Sequence, residues 1–222
     1  MNIKHLTNNL INTVLSLIFP IECLGCNKED TYLCEQCLNT IKLKEKIEPF
    51  EHPLKYLDGI MTAADYKNNL IKSAIHYFKF RFIKKMAEPL AQLLINFFER
   101  VDPAINDPLI IPVPLNKKRF LERGFNQSEL IGKIFADHFN FSFMTDLIER
   151  HRYTPHQVGL NRAKRLTNVQ GSFKINRSEL IQNKNIILID DVVTTGSTLE
   201  EIAKILKDFG AKKVWGLTVA KD

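Results

Sequence analysis

The chain has 222 residues, 45% of them hydrophobic and 25% charged. That is room for one ordinary domain, or for one domain with a small appendage, and the balance excludes a disordered or fibrous protein. The formal net charge of +6 favours polyanionic or phosphorylated partners. All four cysteines lie between Cys23 and Cys37, which excludes a disulfide framework spread over the whole chain.

The apolar run 10–19 is about half a membrane span long. It contains Asn12, Thr13 and Ser16 and ends at Pro20, which predicts a short amphipathic helix with Leu10, Val14, Leu17 and Ile18 on one face. Its basic start is weak and it has no small-x-small cleavage site. The expectation is therefore no membrane span and a reducing, cytoplasmic setting.

The cysteines follow as Cys23-x2-Cys26-x7-Cys34-x2-Cys37. Each C-x-x-C pair lets two thiolates converge on one tetrahedral ion from a single turn, and two pairs close the site. Four thiolate ligands with no open position suit a structural Zn2+. Two redox dithiols, or four unrelated cysteines, are the alternatives.

Residues 42–53 read as a charged linker, and 58–66 as a strand. Leu70, Ile71, Ala74, Ile75 and Phe78 recur at helical spacing, as do Met86, Leu90, Ala91, Leu94 and Phe98, which predicts two helices broken near 80–82. A short strand at 109–111 leads to Pro112-Val113-Pro114. A helix over 126–139, a short strand near 141–144, a long loop over 149–170 and a hairpin strand at 172–175 follow. The continuous apolar run 186–189 predicts a strand buried on both faces of a parallel sheet. A helix over 198–209, ended by Gly210, and a last strand over 214–220 complete the pattern. Strands alternating with helices mean α/β architecture. The expected division is a helix and four-cysteine module over 1–48 and an α/β domain over 54–222.

The segment from Ile187 to Thr198 carries the most chemistry. A buried strand delivers Asp190 and Asp191 at its carboxyl end, where open α/β sheets bind ligands. Thr194, Thr195, Gly196, Ser197 and Thr198 then form a hydroxyl- and glycine-bearing turn into a helix, a cradle for a phosphate monoester. The two acids suit ribose hydroxyls. A well-capped helix, with Ser197 and Glu200 as a capping box, is the plainer alternative.

Two basic segments accompany it. Residues 112–127 hold Lys117, Lys118, Arg119 and Arg123 against Glu122, with Gly124 ahead of a helix. Residues 150–170 hold five cations and no acid, with Arg152, Thr154, Gln157 and Arg165 among them. Solvated basic loops would explain both. Beside a phosphate cradle they read as pyrophosphate clamps. A third acid-free cluster, Lys67, Lys72, Lys79, Arg81, Lys84 and Lys85, is interleaved with Tyr77, Phe78, Phe80 and Phe82. Cations with exposed aromatics suit single-stranded nucleic acid, and an ordinary solvated helix face is the alternative.

The segment around Asp190 resembles the motif with which type I phosphoribosyltransferases bind 5-phosphoribosyl 1-pyrophosphate (PRPP). The resemblance implies that residues 194–198 cradle the 5-phosphate. It also implies that Asp190 and Asp191 act at the ribose and, directly or through water, at Mg2+. Arg123, Gly124 and Lys118 would belong to the pyrophosphate loop, and Arg152, Thr154, Gln157 and Arg165 to a flexible closing loop. The implied reaction transfers ribosyl phosphate to a nitrogen nucleophile with loss of pyrophosphate.

The whole order is similar to that of the ComF family. It runs from Leu17-Ile18-Phe19-Pro20 and the cysteines through Tyr66, Lys79-Phe80 and Arg123-Gly124-Phe125-Asn126-Gln127 to the PRPP motif. Asn116, Asn161 and Arg81 depart from the family pattern without touching a proposed ligand. The resemblance implies a zinc-finger-bearing phosphoribosyltransferase-fold protein linked to natural transformation. Its implied partners are PRPP, single-stranded DNA and a ComFA-type helicase. Three functions stay open: a PRPP enzyme of unknown acceptor, a PRPP-gated DNA adaptor without catalysis, and a nucleobase salvage enzyme.

Overall fold

The computed structural model describes residues 21–152 and 169–222. The helix expected over 10–19 lies outside them, and so do Thr154, Gln157 and Arg165. In chain order the elements are α1 (Glu35–Asn39), β1 (Gly59–Asp65), α2 (Asn69–Phe80), α3 (Ala87–Val101), β2 (Leu109–Pro112), α4 (Lys117–Arg123), α5 (Gln127–Phe139), β3 (Ile148–Arg150), β4 (Phe173–Ile175), β5 (Asn185–Val193), α6 (Ser197–Asp208) and β6 (Lys213–Lys221).

Four strands form one parallel sheet in the order β1-β6-β5-β2. The sequence explains why it is covered on both sides. Along β5, Ile187 and Ile189 face one apolar layer while Ile186 and Leu188 face the other. Met61 and Ala63 on β1 share the first layer, and Ile60 the second. Such alternating burial of a continuous apolar run is the mark of a sheet between two helical layers. The first layer holds α2, α3 and α5, through residues such as Ile75, Leu94 and Phe135. The second holds α6, through Leu199, Ile202 and Leu206, and the β3–β4 hairpin. Pro112 closes β2 on an edge of the sheet, where its missing N–H breaks no ladder.

Several elements differ from the sequence expectation. Lys117–Arg123 is a helix: Asn116 caps its start, accepting from the Lys118 N–H at 2.9 Å, and left-handed Gly124 ends it. It buries no residue, so it carries no apolar signal to read. The strand expected near 141–144 shrinks to one bridge between Ile110 and Phe143. The expected loop beginning at 149 starts with β3, whose antiparallel partner is β4, with Arg150 opposite Phe173. Residues 42–53 are no free linker, for Leu43 is buried in the first layer and the Lys44 N–H bonds the Ala63 carbonyl at 2.9 Å. The cysteine segment shares that layer: Cys23, Leu33, Cys34, Leu38 and Ile41 are contiguous with the buried faces of α2 and α3.

Candidate functional site

The β5–α6 turn carries a left-handed glycine and two linked hydroxyls at the start of an uncapped helix. Gly196 precedes α6 in the left-handed conformation, at φ 73°, which a side chain would strain. It is also enclosed, since a Cβ there would meet the Ile60 and Phe50 side chains at 3.2 Å. No side chain caps the helix. The first-turn N–H groups of α6 therefore stand open to an anion, with the positive end of the helix behind them. The Thr195 hydroxyl bonds that of Ser197 at 3.0 Å, holding both at the turn. The capping box of the plainer alternative does not form. Glu200 turns outward, and its carboxylate accepts from the backbone N–H groups of Lys55, Tyr56 and Leu57 at 3.1 to 3.3 Å. The residues ahead of β1 are thereby strapped beside the turn.

Ahead of the turn stand the two acids. Asp191 is buried and paired with Lys79 of α2, Nζ to Oδ1 at 2.7 Å. Asp190 accepts from the Ser128 hydroxyl of α5 and from the Asp191 N–H, each at 2.9 Å. Burial, reinforced by the Asp191 charge, pushes the Asp190 carboxyl up to about 7, against the pull of Lys79 and of the Ser128 hydroxyl. One acid of the pair is thus matched by a resident ammonium, and the other holds a proton readily.

The charge of the acids reaches two arginines, Arg123 and Arg150. Burial, with help from Arg119, lowers the pKa of Arg123 from its ordinary value, against the pull of Asp191, Glu122 and Asp190. Burial and Arg119 likewise lower that of Arg150, opposed by Asp190. Both stay cationic at neutral pH. The loop that carries Arg119 and Arg123 is tied to the strand bearing the acids, because the Val113 N–H bonds the Ile189 carbonyl at 2.9 Å. Asn126 fastens the other end of that loop: its amide donates to the Val113 carbonyl at 3.1 Å, and its oxygen accepts from the Ser128 N–H at 3.1 Å. Paired acids, an open helix terminus and nearby guanidinium groups together suit a sugar bearing phosphates at both ends.

The cysteines form a second centre. Their four sulfurs lie within 4.8 Å of one another, with Cys26 and Cys34 at 3.6 Å, and none is in a disulfide. A tetrahedral site with metal–sulfur bonds of 2.3 Å needs sulfurs about 3.8 Å apart. The cluster fits that demand and can hold a structural metal such as zinc. Burial raises the Cys23 thiol, but the backbone N–H groups of Cys34, Gly25 and Cys26 outweigh it and bring the pKa down to about 6. Gly25 is required by space, since a Cβ there would stand 2.6 Å from the Cys37 sulfur.

Outside the acid pair, Phe80, Phe82, Phe120 and Leu121 are exposed. The Arg123 guanidinium lies 5.8 Å from the Phe80 ring centre, which joins the end of α2 to α4. Phe78 belongs to the core.

Residues 129–221 match the phosphoribosyl transferase domain. Competence protein F of Haemophilus influenzae is 28% identical over 209 residues, covering 91% of this chain and 86% of that protein. The DNA utilization protein YhgH of Escherichia coli strain K12 is 30% identical over 208 residues, covering 88% of this chain and 87% of that protein. The chain belongs to the ComF family. A third relative, competence protein ComFC of Streptococcus pneumoniae, is 38% identical over 104 residues, covering 47% of this chain and 44% of that protein. The ComF-family chain thus has a type I phosphoribosyltransferase fold, with its four cysteines clustered near the N-terminus. Among its described residues no helix is long and apolar enough to cross a membrane.

Asp190 and Asp191 stand near the end of β5, ahead of residues 194–198, and their charge reaches Arg123. Gly124 ends α4, Lys118 lies exposed on its first turn, and Arg152 is exposed just beyond β3. Sequence reasoning misses Lys79 and Ser128 as neighbours of the acids. Ser128 had a signal, the Asn126-Gln127-Ser128 start of α5, which aims a first-turn hydroxyl out of the helix end. Lys79 had none, because its place depends on how α2 docks on the sheet.

Proposed function

We propose that this ComF-family chain binds PRPP with Mg2+ at the β5–α6 turn and serves the handling of single-stranded DNA during natural transformation. The carrying observation is the uncapped α6 terminus behind left-handed Gly196, set beside Asp190 and Asp191 and faced by Arg123 and Arg150. In this reading residues 194–198 hold the 5-phosphate, the acids orient the ribose hydroxyls, and the basic loop bearing Lys118, Arg123 and Gly124 meets the pyrophosphate. The family resemblance assigns Arg152, Thr154, Gln157 and Arg165 to the loop that closes over the ligand. Magnesium, when bound, neutralises pyrophosphate charge. As the anomeric C–O bond breaks, its electron pair leaves with pyrophosphate. The surrounding guanidinium groups stabilise that leaving charge while a nucleophile takes the carbon. The names of the relatives, competence and DNA utilization, support the biological setting. The setting implies the cytoplasm and a ComFA-type helicase as partner. Residues 1–48 act as a zinc-stapled structural module and 54–222 as the PRPP-binding domain.

A second reading, a non-catalytic DNA adaptor gated by PRPP, is favoured by the exposed Phe80, Phe82 and Phe120 among cations beside the site. Pyrophosphate release separates the two. The purified chain with Mg2+ and PRPP, given single-stranded DNA or none, releases pyrophosphate stoichiometrically with product if it is a transferase. PRPP that raises both the unfolding temperature and the affinity for single-stranded DNA, without being consumed, identifies the adaptor. PRPP that does neither refutes the site.

A further inference from the structure

The cation that faces Asp191 belongs to the protein itself. Lys79 is the second-last residue of α2, and its neighbours Ile75 and Phe78 anchor that helix in the core. The helix therefore cannot drift, and the side chain reaches Asp191 at 2.7 Å from a half-buried flank, against a carboxylate only 7% exposed. Lys79 also pulls on Asp190. The ammonium thus neutralises the Asp191 carboxylate, on which a divalent cation would settle. The ion pair is more than a surface contact, because removing one partner of a buried pair leaves an uncompensated charge.

Resting on the PRPP-site reading above, we propose that Lys79 is the resident counter-ion of the acid pair, which a divalent cation must displace from Asp191. Lys79 is then a positioning residue with two consequences. The free metal ion binds poorly on its own, since it competes with a tethered charge. It binds well only when it arrives with a polyanion that can accept the released ammonium. Metal and phosphorylated ligand are thereby made to enter together, and the acids stay compensated while the site is empty.

The test uses Mn2+ alone as probe, titrated into the full chain and followed by electron paramagnetic resonance. Lys79→Met binds Mn2+ about tenfold or more tightly than the wild type does. Lys79→Arg, which keeps the charge, binds Mn2+ as weakly as the wild type. In unfolding scans without metal, Lys79→Met melts below the wild type, and Mn2+ restores it further than it raises the wild type. Equal Mn2+ affinity in all three proteins, or no measurable binding in any, overturns the proposal. If Lys79→Met does not fold without metal, Lys79→Gln in the same titration decides the question. PRPP binding by the wild type is measured alongside. Its absence refutes the PRPP reading. Its presence with unchanged Mn2+ affinity in the variants refutes only the role given to Lys79.

Discussion

Single residues at the turn carry conformations that few substitutions tolerate. Gly196 meets two demands at once, a left-handed backbone and a crowded Cβ position. Gly196→Ala is expected to lose about 1 kcal/mol of stability in urea unfolding and to weaken PRPP binding more than tenfold, because the turn that aims the α6 amides shifts. A variant that binds PRPP like the wild type would contradict the cradle. Asp190 carries a cost of function. Its folded-state pKa, raised to about 7, exceeds the ordinary carboxyl value, so the folded chain holds that proton more tightly than the unfolded chain does. The resulting stabilisation is complete below a pH of about 4 and is lost as the pH rises to about 7. Asp190→Asn should therefore flatten stability between those limits and raise the unfolding midpoint above pH ~7, while losing PRPP. A midpoint below that of the wild type in mildly alkaline buffer would mean that the carboxylate is held by favourable partners instead.

At the scale of elements, what the sequence makes legible is local. The β5–turn–α6 unit is continuous in the chain, so its apolar run, paired acids and glycine announce it together. The α2 and α3 faces are equally plain, because Ile71, Ile75 and Phe78, and Leu90, Leu94 and Phe98, repeat at helical spacing. Helix α4 is hidden by the same logic: with four cations and no buried residue, it leaves only Asn116 and Gly124 as end signals. Glu200 shows a local pattern overruled by tertiary contact. A residue placed for a capping box instead accepts from three amides of the strand-leading segment. Glu200→Ala should cost about 1 to 2 kcal/mol in urea unfolding. A change within experimental error would show the strap to be incidental. The α2–α4 surface has its own signature. Phe80→Ala with Phe120→Ala, both exposed, should leave the unfolding midpoint unchanged. Affinity for single-stranded DNA should fall, by about 1 to 3 kcal/mol for each base unstacked, with the salt slope preserved. Unaltered DNA affinity would move the nucleic-acid surface elsewhere.

Across the whole molecule, the cysteine cluster and the α/β sheet share one apolar layer. Cys23, Cys34 and Leu38 pack with the residues that support α2 and α3, and α2 carries Lys79 to the acids. Spacing reveals the cluster but not this continuity, since only the folded chain sets Leu38 and Ile41 against those helices. Removing bound zinc with a chelator, under reducing conditions, should lower the unfolding temperature of the entire chain in a single transition. Two separate transitions would instead mark the cysteine segment as an independent module. The +6 charge is also resolved spatially. Arg123 and Arg150 lie within reach of the charge of the acids, and further cations border the exposed aromatic rings at the ends of α2 and α4. Asp190, Asp191 and the open α6 terminus are proposed to form one PRPP site. The most direct measurement is calorimetric titration of PRPP with Mg2+ into the wild type and into the chain bearing Asp190→Asn and Asp191→Asn. The wild type is expected to bind one PRPP per chain, and the folded double variant to show no detectable heat of binding. Equal affinity in the two proteins would contradict the proposal.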